Sequence, residues 1–206
     1  MDEKPSLSPA APFWAAVFEA SLCFVAIALG WLLGRPPLES FRTTANGLAL
    51  GTLAVAPLLL LMLLCARVRR RPFSDIMQVV DDLLVPLFAP CTVIEMAALA
   101  ILAGLGEEML FRGVLQASLA DRLAAAFHGT AAAAPWIAAV AVAILFAGLH
   151  AVNRSYALLA GVIGFYLGWL WLATGNLAVP ATTHAVYDFL ALVYLVKIRR
   201  RDPKGS

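Results

Sequence analysis

Long apolar stretches alternate with short polar ones along most of this chain, and their lengths predict membrane helices. A helical span needs about 20 mostly apolar residues. Phe13 to Leu33 reaches that length with one acidic interruption, Glu19. Gly34-Arg35-Pro36-Pro37 then stops the helix. A second span is predicted over Asn46 to Cys65, through the Leu58–Leu61 run. Pro72 to Pro90 is mixed: Asp75, Asp81 and Asp82 fall among Ile76, Met77, Val79, Val80, Leu83 and Leu84. That pattern predicts an amphipathic helix lying at the membrane surface or opening the next span. Pro90 to Leu105 is apolar apart from Glu95, and the helix is predicted to run through Glu107 and Arg112 to about Ala126. Pro135 and Trp136 open a span that reaches about His150. Tyr156 to Ala173 is another, with Gly161, Gly164 and Gly168 spaced for close helix approach. After the turn Thr174-Gly175-Asn176, Leu177 to Ile198 forms the last. The predicted fold is all-α: a polytopic transmembrane helical bundle of about six to seven membrane helices.

Composition agrees with that pattern. Of 206 residues, 62% are apolar and 14% charged, and the mean hydropathy is +0.86. Soluble domains are about half apolar and a quarter charged, so this is an integral membrane protein, of a length that suits one domain. The first apolar run is too long for the core of a signal peptide, so it is expected to be retained. Cys23, Cys65 and Cys91 lie in apolar runs without C-x-x-C spacing, which points to neither a disulfide framework nor a thiolate metal site.

Charge adds an orientation. Arg67, Arg69, Arg70 and Arg71 follow the second span, and Lys197, Arg199, Arg200, Arg201 and Lys204 follow the last. By the positive-inside rule both clusters are expected in the cytoplasm. They lack the soluble setting of a nucleic-acid site, so no nucleic-acid partner is expected. Four spans between them, near 85–105, 136–152, 156–173 and 177–198, keep the two clusters on one side. Straight helices would then place Glu107 and His150 near opposite faces, unless the glutamate-bearing helix is itself embedded or the span ends are displaced.

The candidate chemistry is a small polar set inside this hydrocarbon. Gly106-Glu107-Glu108-Met109-Leu110-Phe111-Arg112-Gly113 places three charges in six residues. Each costs on the order of 3 kcal/mol or more in a bilayer unless it is partnered or hydrated. Glu108 and Arg112, four apart, share a helical face and can pair, while Glu107 points about 100° away. Phe146 and His150 share a face, as do His184 and Asp188. Each pair taken alone also fits a buried ion pair, an interfacial histidine or a helix–helix hydrogen bond. Together they supply what hydrolysis needs: a carboxylate base, and donors to meet the developing charge. Glu19 and Glu95 have no such neighbour and are expected to be structural or interfacial. His128, beside Gly129, is expected in a solvated loop.

These motifs, Glu-Glu-x-x-x-Arg at 107–112, Phe-x-x-x-His at 146–150 and His-x-x-x-Asp at 184–188, resemble in order the three motifs of the CPBP family. That family comprises intramembrane endopeptidases, including type II CAAX prenyl proteases and bacterial Abi-type proteins. The resemblance covers roughly residues 85–195, and Phe111, Gly113 and Gln116 flank its first motif. It divides the chain into an N-terminal two-span region (1–84), a catalytic core (85–198) and a basic tail (199–206). It implies glutamate-dependent peptide hydrolysis within the membrane, on a membrane-associated protein or peptide, with the lipid bilayer as surroundings. Glu107 with His150 would activate water, and His184 with Asp188 would stabilise the oxyanion. Glu108 and Arg112 would hold the geometry, with Phe146 beside His150. Many members carry asparagine at the position of Asp188. An ionised aspartate repels an oxyanion, so Asp188 would be protonated or would orient His184. Two histidines and a glutamate are also a zinc-type donor set, but there is no H-E-x-x-H, and the resemblance favours a mechanism with no metal or other cofactor. Two alternatives remain: a non-enzymatic membrane scaffold or immunity-type protein that retains the network, and a small proton-coupled transporter, for which the expected internal repeat is missing.

Overall fold

The computed structural model describes residues 10–126 and 132–199; His128, Arg200, Arg201 and Lys204 lie outside them. Its elements are all helical: α1 (Ala11–Leu33), α2 (Ala45–Leu53), α3 (Ala56–Arg67), α4 (Phe73–Val79), α5 (Val85–Phe88), α6 (Val93–Glu108), α7 (Ala117–Ala126), α8 (Ala134–Leu149), α9 (Arg154–Thr174) and α10 (Ala178–Leu192). π-helical segments at Val80–Leu84, Met109–Gln116 and Val193–Ile198 join α4 to α5, join α6 to α7 and extend α10. In lipid only such internally bonded backbones, or closed barrels, are viable.

Four helical paths are long and apolar enough to cross a membrane: Ala11–Leu33, Ala45–Arg67, Arg154–Thr174 and Ala178–Ile198. The bent pair Phe73–Phe88 and Val93–Ala126 makes a fifth if it counts as one span, and Ala134–Leu149 is a shorter apolar helix. α1 faces outward with large apolar side chains; Phe24 is 72% and Trp31 85% exposed. Such a face suits lipid, not water.

Helix boundaries follow local chemistry. Gly34 and Gly175 close α1 and α9 in the left-handed conformation, at φ 68° and 59°, where a side chain would be strained. The second predicted span is broken between Leu53 and Ala56, because Pro57 has no N–H for the Leu53 carbonyl. The predicted span over 85–105 is also two pieces. Thr92 starts a new helix with a capping box: its hydroxyl accepts from Glu95 N–H at 3.2 Å, and the Glu95 carboxylate accepts from Thr92 N–H at 2.7 Å. Glu95 is thus structural, as expected. The chain bends by 115° there.

That break resolves the apparent separation of Glu107 from His150. Glu107 lies fourteen residues after Val93 and fourteen before Asp121, about 21 Å from each at 1.5 Å per residue. It therefore lies midway along a long helix. α8 packs against the later half of that helix and stops at His150, at the depth of Glu107.

Glycines let the central helices touch. A Cβ on Gly104 would lie 2.7 Å from Ala185 N and 2.9 Å from the Ala181 carbonyl of α10. A Cβ on Gly106 would lie 2.8 Å from the Glu19 carbonyl of α1. On α9, Gly161, Gly164 and Gly168 receive Ala147, Phe146 and Gln116, the close approach that their spacing predicts.

The two ends of the bundle are tied separately. At one end, Asn176 accepts from Arg42 N–H at 2.9 Å, Trp171 donates to the Ser40 hydroxyl at 3.0 Å, and Arg35 pairs with Asp121 at 2.9 Å. At the other, Lys197 donates to the Ala89 carbonyl at 3.0 Å, Arg199 pairs with Asp81, and Arg71 pairs with Asp75. Arg67–Arg71 and the end of α10 thus share one end of the molecule.

Candidate active site

The predicted site residues come from three places in the bundle. Glu107 and Glu108 end α6, His150 caps α8, and His184 and Asp188 lie one turn apart on α10. The structure brings all of them together. Glu107 Oε1 is 4.0 Å from His150 Nε2, and its Oε2 is 4.0 Å from His184 Nε2. Both gaps exceed a hydrogen bond. The Glu107 side chain is only 9% exposed, and its Oε2 has no hydrogen-bond partner.

Glu108 and Arg112 form the expected pair, completely buried, with Arg112 Nη1 donating to Glu108 Oε1 at 2.7 Å. Arg112 Nη2 also donates to the Gly164 carbonyl at 2.6 Å, which ties the motif to α9. The guanidinium carbon sits 5.3 Å from the centroid of Phe146, within cation–π range. Phe146 stacks on His150 at 4.3 Å with planes 22° apart, and meets Phe111 edge-on at 5.0 Å. The Phe146 side chain therefore fixes the plane of the His150 ring.

Hydrogen bonds also distinguish the ring nitrogens. His150 Nδ1 lies 2.9 Å from the Phe146 carbonyl oxygen. That oxygen only accepts, so Nδ1 carries the proton, and Nε2 is the nitrogen turned to Glu107. His184 is held differently. Its Nδ1 is 3.0 Å from Glu108 Oε1, and its Nε2 is 3.4 Å from Asp188 Oδ2. Asp188 thus faces the His184 imidazole, the arrangement suited to an orienting carboxylate.

These groups open into a cavity of about 300 Å³, lined among others by Glu107, His150, His184, Asp188, Phe146, Tyr156 and Tyr187. The volume is at the lower end of small-molecule sites. Most of the remaining lining is apolar, from the ends of α3 and α10 and from the α4–α5 segment, and includes Met62, Ile76, Val80, Phe88 and Leu195. The cavity therefore runs from the buried carboxylates toward the end of the bundle that carries Arg67–Arg71.

Glu19, expected from the sequence to be structural or interfacial, belongs to this cavity. Glu19 of α1 lines it, and its Oε2 is buried without a hydrogen-bond partner. The available signal was its position: an acidic side chain in mid-span is itself an indication of function. No partner lies within a helical turn of it, so spacing could not connect it to the motifs.

Among the described residues no group of three or more His, Cys, Asp or Glu has metal-holding geometry. Both His184 nitrogens face carboxylates, Nδ1 that of Glu108 and Nε2 that of Asp188.

The model of the family described as type II CAAX prenyl endopeptidase Rce1-like matches residues 89–190. That segment contains all three motifs and excludes Glu19. The uncharacterized protein YpbD of Bacillus subtilis (strain 168) is 33% identical over 123 residues, covering 56% of this chain and 54% of YpbD. The chain thus spans about half the length of that relative. No solved structure matches it significantly. With its three motifs in order and its helical membrane architecture, this chain belongs, through residues 89–190, to the type II CAAX prenyl endopeptidase Rce1-like family.

Proposed function

We propose that this protein is an intramembrane endopeptidase that hydrolyses a peptide bond of a membrane-associated protein or peptide. The observation that carries the proposal is a buried carboxylate, Glu107, with one unpartnered oxygen, facing two histidines across gaps too long for direct hydrogen bonds. A polar separation beyond 3.5 Å suits an intervening water. In this mechanism a water held between Glu107 and His150 Nε2 loses a proton to Glu107 as its oxygen attacks the substrate carbonyl carbon. His184, its Nδ1 held by Glu108 and its Nε2 beside Asp188, donates from Nε2 toward the carbonyl oxygen as negative charge develops. The proton then passes from Glu107 to the leaving nitrogen, the C–N bond breaks, and a carboxylic acid and an amine leave. Arg112 keeps Glu108 in place and does not touch the reacting atoms. No metal takes part, so activity is expected to survive a chelator.

Positive charge at Arg67–Arg71 and at the end of α10 favours a cytoplasmic position for that end of the molecule. The cavity opens toward it, so substrate enters from the cytoplasmic leaflet.

The test compares peptide termini in membranes of null cells restored with wild type or Glu107→Gln, at equal protein levels. Peptides cut only by wild type are expected, because losing a general base costs about 100-fold or more. Identical maps would favour a scaffold, a role for which the buried Glu108–Arg112–Gly164 network is sufficient.

A further inference from the structure

The charge balance of the cavity is incomplete. Four carboxyl groups meet around it: Glu19, Glu107 and Asp188 line it, and Glu108 lies just behind. Against the four stand one guanidinium, Arg112, and two imidazoles. With all four ionised, even two protonated histidines would leave one carboxylate without a counter-charge, so without a further cation at least one carboxyl is held neutral. Among the described residues no lysine or arginine lines the cavity, and Arg112 is committed to Glu108 and Gly164. Three carboxylate oxygens here are buried and unpartnered, Glu19 Oε2, Glu107 Oε2 and Glu108 Oε2, and the first two belong to residues that line the cavity. A buried carboxylate is costly unless it is neutralised or paired.

Glu107 is assigned above to the water. Glu19 approaches from α1, outside the matched segment, and its backbone packs on Gly106, next to Glu107. We propose that Glu19 determines specificity: it receives the positively charged group, an ammonium or guanidinium, of an apolar peptide that enters the cavity. The substrate class is a membrane-associated peptide with a basic residue close to the cleaved bond. The assignment rests on the endopeptidase reading only for the word substrate; the cation site exists whether or not a bond is cut.

The experiment uses the full chain in lipid nanodiscs and N-acylated peptides that differ only in carrying lysine, arginine or norleucine at each position in turn. Binding is measured at low temperature on protein that retains Glu107, with and without Glu19→Gln, because Glu107→Gln would itself remove one of the four carboxyls. A hydrogen-bonded charge contributes about 1.5–3 kcal/mol, so lysine peptides are expected to bind about tenfold or more tighter than norleucine ones. Glu19→Gln is expected to bring that ratio close to one. A ratio unchanged by Glu19→Gln, or no preference for lysine or arginine at any position, overturns the proposal. Cleavage of the same peptides is followed in parallel on proteins that retain Glu107. Selective binding without cleavage upholds the cation site and removes the endopeptidase reading. Cleavage without selectivity does the reverse.

Discussion

Arg112 shows how a single side chain is fixed by its surroundings. Its guanidinium is completely buried and reaches three partners: the Glu108 carboxylate, the Gly164 carbonyl and the Phe146 ring. A planar fork can serve all three, whereas an ammonium is a point charge on a flexible stem. Arg112→Lys is therefore expected to destabilise the protein, and Arg112→Met more strongly, because Glu108 would be left as an uncompensated buried charge. Breaking such a pair costs about 3–5 kcal/mol. Thermal unfolding in detergent, read at the midpoint, checks the order wild type, Lys, Met. A Lys variant as stable as wild type would show that the contact to Gly164 contributes nothing.

At the scale of elements, the site depends on how closely α6 approaches α10 and α1. Gly104 is the tightest point on the α10 side, where an added Cβ would meet backbone atoms of Ala181 and Ala185. Backbone cannot rotate out of the way as a side-chain tip can. Gly104→Val is expected to force the helices apart and to cost about 1–3 kcal/mol by overpacking. It should also carry His184 away from Glu108, since His184 neighbours Ala185 on α10. Activity should then fall further than stability does, measured as turnover at a temperature where the variant remains folded. Gly148, by contrast, has nothing within 4 Å of an added Cβ, so Gly148→Ala is the matched control.

For the whole molecule, the arrangement of both ends makes a prediction about orientation. Arg70 lies at the end carrying the cavity mouth, and Thr43 lies in the loop that binds Asn176 at the other. With the native cysteines replaced, Arg70→Cys should react with a membrane-impermeant thiol reagent only when the cytoplasmic face is accessible. Thr43→Cys should react in intact cells. The reverse pattern would place the cavity mouth on the outer side and overturn the proposed entry from the cytoplasmic leaflet.

The sequence determined what lies within one helical turn. Glu108–Arg112, Phe146–His150 and His184–Asp188 are i,i+4 neighbours, so helix geometry alone brings each pair together. The apolar runs likewise determined the helical class and most helix positions, because hydrocarbon leaves the backbone few other ways to satisfy its hydrogen bonds. Tertiary structure decided everything that crosses between helices. It set the meeting of Glu107 with His150, which depends on a 115° break at Thr92 and on where α8 stops. It distinguished Glu95, consumed by a helix cap, from Glu19, delivered to the cavity, although both are lone acids in apolar runs. Spacing along one helix fixes the face a residue occupies, but which helix that face meets depends on packing between segments distant in the chain. For Glu19 the decisive contact is the approach of α1 to Gly106, far along the sequence.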